Sequence, residues 1–373
     1  MEKRFIVDVL VGPENLCNLQ KEKNSILKGI KLGEKLVVYG RRNTGKTSLI
    51  KNTIIPEFLK SNKDAIAIFS DFMLAKDEIT LARILQKSLE RALNTKFRTK
   101  LALKSTLKAL KSLRPKIQVD PLSGESSIGL SIDNSSISLE DVLENVLIMA
   151  KQFKTLIVFD EFQDIGQVPR AQAILRQFLQ ELSQTPVIML GSKKHLLREL
   201  FTKPMAPLAD MAKDIEFKEI PYEEYFLYMR ERLEKSFIQV DLDISIFWQD
   251  LMFKNPEGIN TLGLYLVEHE KNITLTKEKI LTTLHLVVEE RISRYAQTLA
   301  GVSKTEEEVL TMIAKNGPII HPTSKSFLKL LTSSQRTVSK SISRLLNLGF
   351  IEETNKGLQL TSPLFCFYLR FYR

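Results

Sequence analysis

The residues best suited to chemistry lie in the loop of residues 40–48, which follows a short apolar run and precedes a helical pattern. The loop reads G-x-x-x-x-G-K-T. Gly40 and Gly45 allow backbone angles that turn successive N–H groups toward phosphate oxygens, and the helix N-terminus adds further donors. Lys46 supplies positive charge for the β- and γ-phosphates, and Thr47 a hydroxyl ligand for Mg²⁺. The pattern predicts a P-loop that binds ATP with Mg²⁺. The predicted nucleotide-binding residues are Gly40, Arg41, Arg42, Asn43, Thr44, Gly45, Lys46, Thr47 and Ser48.

A second strand is predicted at residues 155–159, where a continuous apolar run ends in two carboxylates. Such runs are typical of parallel strands buried on both faces. A P-loop site needs a carboxylate here to hold the magnesium shell, and this role is predicted for Asp160. Glu161 is predicted to be the catalytic base that polarises the attacking water. The simpler interpretation is that the pair caps a strand or begins a turn.

The sequence resembles the archaeal-type P-loop ATPases of the AAA+/STAND lineage and, more distantly, archaeal origin-recognition ATPases. The resemblance rests on residues 38–49, on residues 156–164, and on residues 189–192 with a helix after them. It implies an α/β fold, in which a parallel P-loop sheet flanked by helices is followed by a helical lid and a winged helix-turn-helix domain. It also implies nucleotide-controlled conformational change and assembly into a homo-oligomer.

The resemblance gives a third apolar run, at residues 186–191, a place in the site. In these ATPases the strand between the two motif strands ends in a polar side chain that senses the γ-phosphate, and Ser192 is the catalytic candidate for that role. The alternative is that Ser192 caps the helix predicted at residues 193–200. Both interpretations remain open at this point.

Two stretches depart from the pattern of this group. Residues 207–211 read Pro-Leu-Ala-Asp-Met where relatives carry Pro-Leu-Tyr-Gly-Arg, and residues 255–260 read Asn-Pro-Glu-Gly-Ile-Asn where relatives offer an arginine. Lys213 is a weak substitute for the arginine that relatives carry in the first stretch, where it is a candidate arginine finger. Because an arginine finger contributes about 10³–10⁵ in rate, its absence predicts slow hydrolysis, as in a switch.

The last part of the chain has the pattern of a winged helix. Helices are predicted at residues 306–315, 324–331 and 334–348, and a hairpin around residues 355–357. Lys and Arg outnumber Asp and Glu over residues 301–373, which favours contact with double-stranded DNA. The alternative is a protein-interaction or autoinhibitory element, since the tail at residues 362–373 is aromatic and apolar. The predicted DNA-binding residues are those expected to be exposed on the helix predicted at residues 334–348, which holds the position of the recognition helix: Gln335, Arg336, Thr337, Lys340, Ser341 and Arg344.

Composition restricts the remaining choices. A chain of 373 residues with 43% hydrophobic residues predicts more than one folded domain, and its net charge of +10 suits an acidic partner or solubility alone. The predicted domains are 1–220, the ATPase core; 221–300, the lid; and 301–373, the winged helix. Two cysteines and the lack of a long apolar run predict a cytoplasmic protein without a membrane partner. Residues 96–116 predict a basic amphipathic helix, and residues 121–138 a loop or exposed hairpin.

Two functions from different classes fit these features. The first is an ATPase whose nucleotide state controls a winged-helix output that binds DNA or a protein partner. The second is a DNA-binding regulator that binds ATP structurally and hardly hydrolyses it. A kinase-like transferase is a third, weaker alternative, because the sequence shows no acceptor-site signature.

Overall fold

The computed structural model describes residues 3–73, 75–96, 115–119, 126–130, 138–202 and 206–373. Contacts divide the chain into two compact units. We call Leu10–Lys218 the sheet unit, and Met1–Val9 together with Glu219–Arg373 the helical unit. The chain therefore passes from one unit to the other at two places. The three domain boundaries inferred from the sequence stay predictions.

A five-stranded parallel sheet forms the centre of the sheet unit. The strands are β1 Lys35–Tyr39, β2 Ala65–Asp71, β5 Lys154–Asp160, β6 Val187–Gly191 and β7 Lys213–Glu216. Their order in the sheet is β2-β5-β6-β1-β7, so β6 lies between β5, which ends at the two carboxylates, and β1, which precedes the P-loop. This α/β arrangement, with helices on the sheet, confirms the fold class and the position expected for the third apolar run.

Alternate side chains of each strand point to opposite faces of the sheet, and an apolar cluster covers each face. On β5, Leu156 and Val158 join one apolar cluster, and Ile157 and Phe159 join the other. The other strands and the flanking helices complete both clusters. The helices are α1 Gln20–Leu32, α2 Lys46–Leu49, α3 Ile55–Ser61, α4 Glu78–Lys96, α5 Leu139–Gln152, α6 Pro169–Glu181 and α7 Lys194–Thr202.

The edge strand β7 has no counterpart in the sequence predictions. Its residues are Lys213, Asp214, Ile215 and Glu216, and only Ile215 is buried. An edge strand pairs on one side only and tolerates charged residues, so it lacks an apolar run. It pairs with β1 through backbone hydrogen bonds, and a hydrophobic pattern in the sequence does not predict such pairing.

The predicted basic helix at residues 96–116 lies almost wholly outside the described residues. Its last two residues belong to strand β3, Pro115–Val119, which pairs antiparallel with β4, Ser126–Leu130. A hairpin is therefore present, and it begins earlier than the loop or exposed hairpin predicted at residues 121–138. The part of the chain that the structure describes contains no helix that is both long enough and apolar enough to cross a membrane.

The helical unit begins with consecutive helices, as predicted for residues 221–300. Residues 3–9 pack in the same unit, with Phe5 buried against Tyr228 and Trp248. A side chain at Gly263 would place its Cβ only 2.6 Å from the Phe5 ring, so the glycine makes room for this residue. The helices are α8 Tyr222–Leu233, α9 Leu242–Leu251, α10 Pro256–His269, α11 Lys277–Glu289 and α12 Ile292–Ala300.

The end of the helical unit is a three-helix and hairpin fold. The predicted hairpin is confirmed, with Thr354 paired to Gly357 at its turn. The tail forms a further helix whose residues Pro363 to Leu369 are buried within its own unit, so the tail docks on its own chain. The elements are α13 Lys304–Asn316, α14 Lys325–Leu328, α15 Gln335–Leu348, β8 Ile351–Thr354, β9 Gly357–Leu360 and α16 Pro363–Tyr372.

Candidate functional site

Residues 40–45 of the predicted P-loop join β1 to the helix α2, and residues 46–48 form the start of that helix. Gly45 has a φ of 84°, in the left-handed region that favours glycine. At Gly40 a Cβ would lie 2.7 Å from the Cβ of Phe217, so only glycine permits this close approach. Backbone conformation and packing therefore explain why the two glycines of the motif stand where they do.

The Lys46 ammonium is held inside the loop. Its side chain is buried, and Nζ donates to the carbonyl oxygens of Gly40 at 2.9 Å and Arg41 at 2.6 Å. It also donates to the Thr44 hydroxyl at 3.3 Å, and that hydroxyl donates to the Arg41 carbonyl at 2.8 Å. A buried positive charge at the mouth of a loop rich in N–H groups is suited to bind a polyphosphate.

Thr47 and Asp160 meet although they lie far apart in sequence. The Thr47 hydroxyl donates to Asp160 Oδ2 at 2.9 Å. Burial raises the pKa of the Asp160 carboxyl above its ordinary value, although the hydrogen bond from Thr47 lowers it. A buried carboxylate beside a hydroxyl is an oxygen pair of the kind that Mg²⁺ prefers, and a cation would offset the cost of burying the charge. The residues therefore fit the predicted metal.

Glu161 adopts a left-handed conformation, with φ of 49°, directly after β5. Its backbone N–H donates to Asp160 Oδ1 at 3.0 Å, which holds the Asp160 carboxylate against the peptide that follows it. The Ser192 hydroxyl donates to Glu161 Oε2 at 3.0 Å. Ser192 reaches this carboxylate because β6 is the direct neighbour of β5. The next helix begins at Lys194, two residues after Ser192.

The other predicted loop residues are placed differently. Arg42 and Asn43 are exposed and Arg41 is half-buried, whereas Ser48 is buried. The Ser48 hydroxyl accepts a hydrogen bond from the Val11 backbone N–H at 3.3 Å, so it faces the start of the sheet unit. This contact is consistent with a supporting role for Ser48.

Sequence reasoning missed the segment of residues 11–19, which runs beside the loop. Asn52 donates to the Val11 carbonyl at 2.9 Å. A Cβ at Gly45 would lie 3.1 Å from Leu16 and 3.3 Å from Leu19, so both leucines flank the glycine. The only signal in the sequence is the spacing of the two leucines, which any amphipathic segment would show.

Sequence reasoning named Arg42 as a nucleotide-binding residue but missed Lys193, and both charges act on Asp164. Burial raises the pKa of the Asp164 carboxyl above its ordinary value, while the positive charges of Lys193 and Arg42 act in the opposite direction. Arg42 and Lys193 come from the loop and from the end of β6. The mouth of the site thus combines basic groups from two elements, which raises the local attraction for an anion.

The predicted DNA-binding residues lie on α15, with one exception to their expected exposure. Ser341 is buried, because it shares the inner stripe of the helix with Val338, Ile342 and Leu345. The prediction that Ser341 is exposed was therefore wrong: position 341 follows 338 by one helical turn and faces inward. The residues that do lie at the surface are Gln335, Arg336, Thr337, Lys340 and Arg344.

Arg344 is exposed but already engaged. Its Nη1 lies 3.0 and 3.1 Å from the two carboxylate oxygens of Glu306 on α13. Glu306 also forms a capping box with Ser303, in which each side chain accepts from the backbone N–H of the other residue. Arg344 therefore fixes α15 against α13, and Arg336 and Lys340 are the stronger candidates for phosphate contact.

Comparison with known proteins agrees with this architecture. A family model described as "Probable winged helix domain" matches residues 293–371. The chain is similar to the Walker-type ATPase PABY2304 of Pyrococcus abyssi, with a TM-score of 0.64 at 15% identity over 98% of this chain and 99% of that one. No curated protein sequence matches it.

Two structures from Aeropyrum pernix are also similar. The ORC2 protein in ADPNP–ADP complexes gives a TM-score of 0.56 at 14% identity, covering 97% of this chain and 94% of that one. The ORC1 protein in complex with DNA gives 0.50 at 12% identity, covering 96% and 93%. The chain thus has the fold of a P-loop ATPase with a C-terminal winged helix. Its structural neighbours are a Walker-type ATPase and archaeal origin-recognition proteins, which confirms the resemblance at the level of the fold.

Proposed function

We propose that this protein is a slow Mg-ATP-binding ATPase of AAA+/STAND type that acts as a nucleotide-dependent switch. One observation carries the proposal: Lys46 and Thr47 follow β1, Asp160 and Glu161 stand at the end of β5, and the two pairs meet at one edge of the sheet. There Thr47 donates a hydrogen bond to Asp160, and Ser192, which follows the intervening strand β6, donates one to Glu161. A loop for phosphates without a base would suit binding alone. The carboxylate held by a hydroxyl supports hydrolysis as well.

Each residue has a role in the proposed reaction. The loop N–H groups and Lys46 bind the phosphates of ATP. Glu161 accepts a proton from the attacking water as its oxygen bonds to the γ-phosphorus. The bond from that phosphorus to the β–γ bridging oxygen breaks, and ADP leaves with the electron pair. Ser192 orients Glu161 and senses the γ-phosphate.

Thr47 and Asp160 are the residues that would hold Mg²⁺. A bound magnesium ion would neutralise charge on the phosphate oxygens. The hydrogen bond of 2.9 Å from the Thr47 hydroxyl to Asp160 Oδ2 supports this assignment, because it shows that the two oxygen ligands already lie side by side. Their separation in sequence argues against a chance pairing along one element.

The switch is supported by where the chain leaves the sheet unit. Both crossings to the helical unit lie next to the P-loop. At the first, the Val11 N–H donates to Ser48; at the second, Phe217 packs on Gly40 and its N–H donates to the Tyr39 carbonyl at 2.8 Å. A change in the loop on nucleotide binding therefore acts on both connections, which is the physical basis for coupling.

We propose that double-stranded DNA is the target of the output, through Arg336 and Lys340 of α15. Both side chains are exposed, and the helix holds the place of the recognition helix in a winged helix. The alternative output is a protein partner, for which an assembly of several copies of the chain is one form. Solution mass measured with and without ATP reports any nucleotide-dependent assembly.

Phosphate release by the purified chain and by Glu161→Gln tests the proposal. We expect slow release by the parent, at least 100-fold less by the variant given the usual contribution of a general base of about 10²–10⁴, and equal ATP affinity in both. The matched control is Glu181→Gln, an exposed glutamate at the end of α6. Equal rates near zero in parent and Glu161→Gln would favour the regulator that binds ATP structurally.

A further inference from the structure

Gln163 is a buried amide beside the proposed base. It is the second residue of the short 3₁₀ helix Phe162–Gln167 and is only 3% exposed. Its Nε2 donates to Glu161 Oε2 at 2.5 Å, the same oxygen that accepts from Ser192. The residue before it, Phe162, is buried and stacks on Phe159. Two donors therefore converge on one oxygen of Glu161.

The other carboxylate oxygen of Glu161 is in a different position. Among the residues that the structure describes, none donates a hydrogen bond to Oε1 of Glu161. A carboxylate with one oxygen fixed by two donors has its rotation restricted and presents its second oxygen in one direction. This is the arrangement that a general base requires, because proton transfer depends on the placement of the accepting atom.

Gly191, the last residue of β6, makes room for Gln163. A Cβ at position 191 would lie 2.5 Å from Gln163 Oε1, and no described residue donates to this buried oxygen. The NH₂ group of the same amide donates to two carboxylates: to Glu161 and, over 3.4 Å from Nε2 to Oδ1, to Asp164. An unpaired buried acceptor costs about 1–3 kcal/mol, so a buried apolar residue would stabilise this position better than glutamine does.

We propose that Gln163 is a positioning residue for ATP hydrolysis, which fixes Oε2 of Glu161 and leaves Oε1 to accept the proton from water. In this proposal Gly191, which has no side chain, leaves the space that the Gln163 amide occupies. The inference rests on the proposed function, since it assigns Gln163 to the same base. Ser192 supplies the second donor, so removal of Gln163 leaves a carboxylate that still binds one hydroxyl but rotates more freely.

The test is a comparison of kcat and KM for Gln163→Met, which keeps the length of the side chain and removes the donor. We expect kcat to fall about 10- to 100-fold, the loss typical of a misplaced catalytic group, while KM and the ATP dissociation constant stay within twofold. The matched control is Gln177→Met on α6, where an exposed glutamine donates to Glu181 at 3.3 Å. We expect parental kinetics from this control.

Gly191→Ala provides an independent test if Gln163→Met does not fold. It leaves Gln163 in the chain and pushes on Oε1, so kcat should fall with KM unchanged. In a Gln163→Ala background the same substitution should have a smaller effect on kcat, because the oxygen that it displaces is gone and only the contact with Leu197 at 2.9 Å remains. Equal effects of Gly191→Ala in both backgrounds would show that Gly191 acts elsewhere and would overturn its part of the proposal.

The outcomes separate this inference from the proposed function. If Glu161→Gln loses turnover while Gln163→Met keeps the parental kcat, Gln163 has no positioning role. If Gln163→Met raises kcat, the amide restrains the base instead of placing it, which also overturns the inference. If the parent and Glu161→Gln release phosphate at the same rate, the proposed function itself fails, whatever Gln163 does.

Discussion

The polar groups at the P-loop and those on α15 are held in opposite ways. Lys46, Asp160 and Gln163 are buried and bonded to neighbouring groups, whereas Arg336 and Lys340 stand in solvent. A buried network fixes geometry before any ligand arrives, and each missing partner leaves an unsatisfied group. An exposed charge acts mainly through long-range attraction and is screened by salt. Substitutions should therefore have large, salt-independent effects at the loop and smaller, salt-dependent effects on α15.

The sharpest test of the buried side is Lys46→Ala. Loss of its charged hydrogen bonds to phosphates, worth about 1.5–3 kcal/mol, should weaken ATP binding about 10- to 100-fold. Titration calorimetry with Mg-ATP measures this change. Lys60→Ala is the control, because Lys60 is exposed near the end of the helical stretch that Lys46 begins. If Lys46→Ala binds ATP like the parent, the loop does not act through its buried lysine.

Between the two extremes lies the contact of Glu306 with Arg344, which joins a buried carboxylate to an exposed guanidinium. Glu306→Gln keeps a side chain able to complete the capping box but loses the ion pair, which at this exposure is worth about 0.2–1 kcal/mol. Glu306→Leu loses both contacts and should destabilise by about 1–2 kcal/mol. Hydrogen exchange of the amides in α13 and α15 of the full chain measures both changes.

This contact also has a pH dependence whose sign is fixed. Burial acts to raise the pKa of Glu306, but the Ser303 backbone amide and hydroxyl, together with Arg344, bring it below its ordinary value of 4.5. Since the folded pKa is depressed, the contact stabilises the fold fully above pH 4.5 and loses this contribution as pH falls through the lower folded value. Glu306→Gln should remove the acid-dependent part of the protection of these amides against hydrogen exchange. Parallel acid profiles of parent and variant would contradict it.

The parts of the fold that follow from the sequence are those with a strong local signal. The apolar runs of β1, β5 and β6 predict a buried parallel sheet, and the glycines of the loop predict its conformation because each has a backbone or packing requirement. The sequence also predicts that Glu161 and Ser192 end neighbouring strands, since the resemblance places the third strand between the two motif strands.

The features that the sequence does not reveal depend on contacts between distant positions. Gln163 looks like a polar residue after a strand, and only the packing of Phe162 and Gly191 shows that its amide is buried against Glu161. Arg344 has the spacing of a surface residue, yet Glu306 binds it. Ser341 is a different case, because its helical spacing from Val338 already places it on the inner face and only its polar type suggests exposure.

At high salt, the smallest expected effect is on the exposed side of the comparison. In Arg336→Ala/Lys340→Ala the loss of two phosphate contacts should lower the slope of log K against log salt concentration by about 2, since each contact contributes about 0.9. The loss of affinity should shrink as salt rises, whereas an effect of buried geometry would persist. The control is Lys304→Ala/Lys315→Ala, which removes equal charge from exposed positions of α13. Arg344 is left in place because its removal would also loosen α15. An unchanged salt slope in the α15 variant, measured on the same duplex, would exclude these two residues from the DNA interface and favour a protein partner for the winged helix.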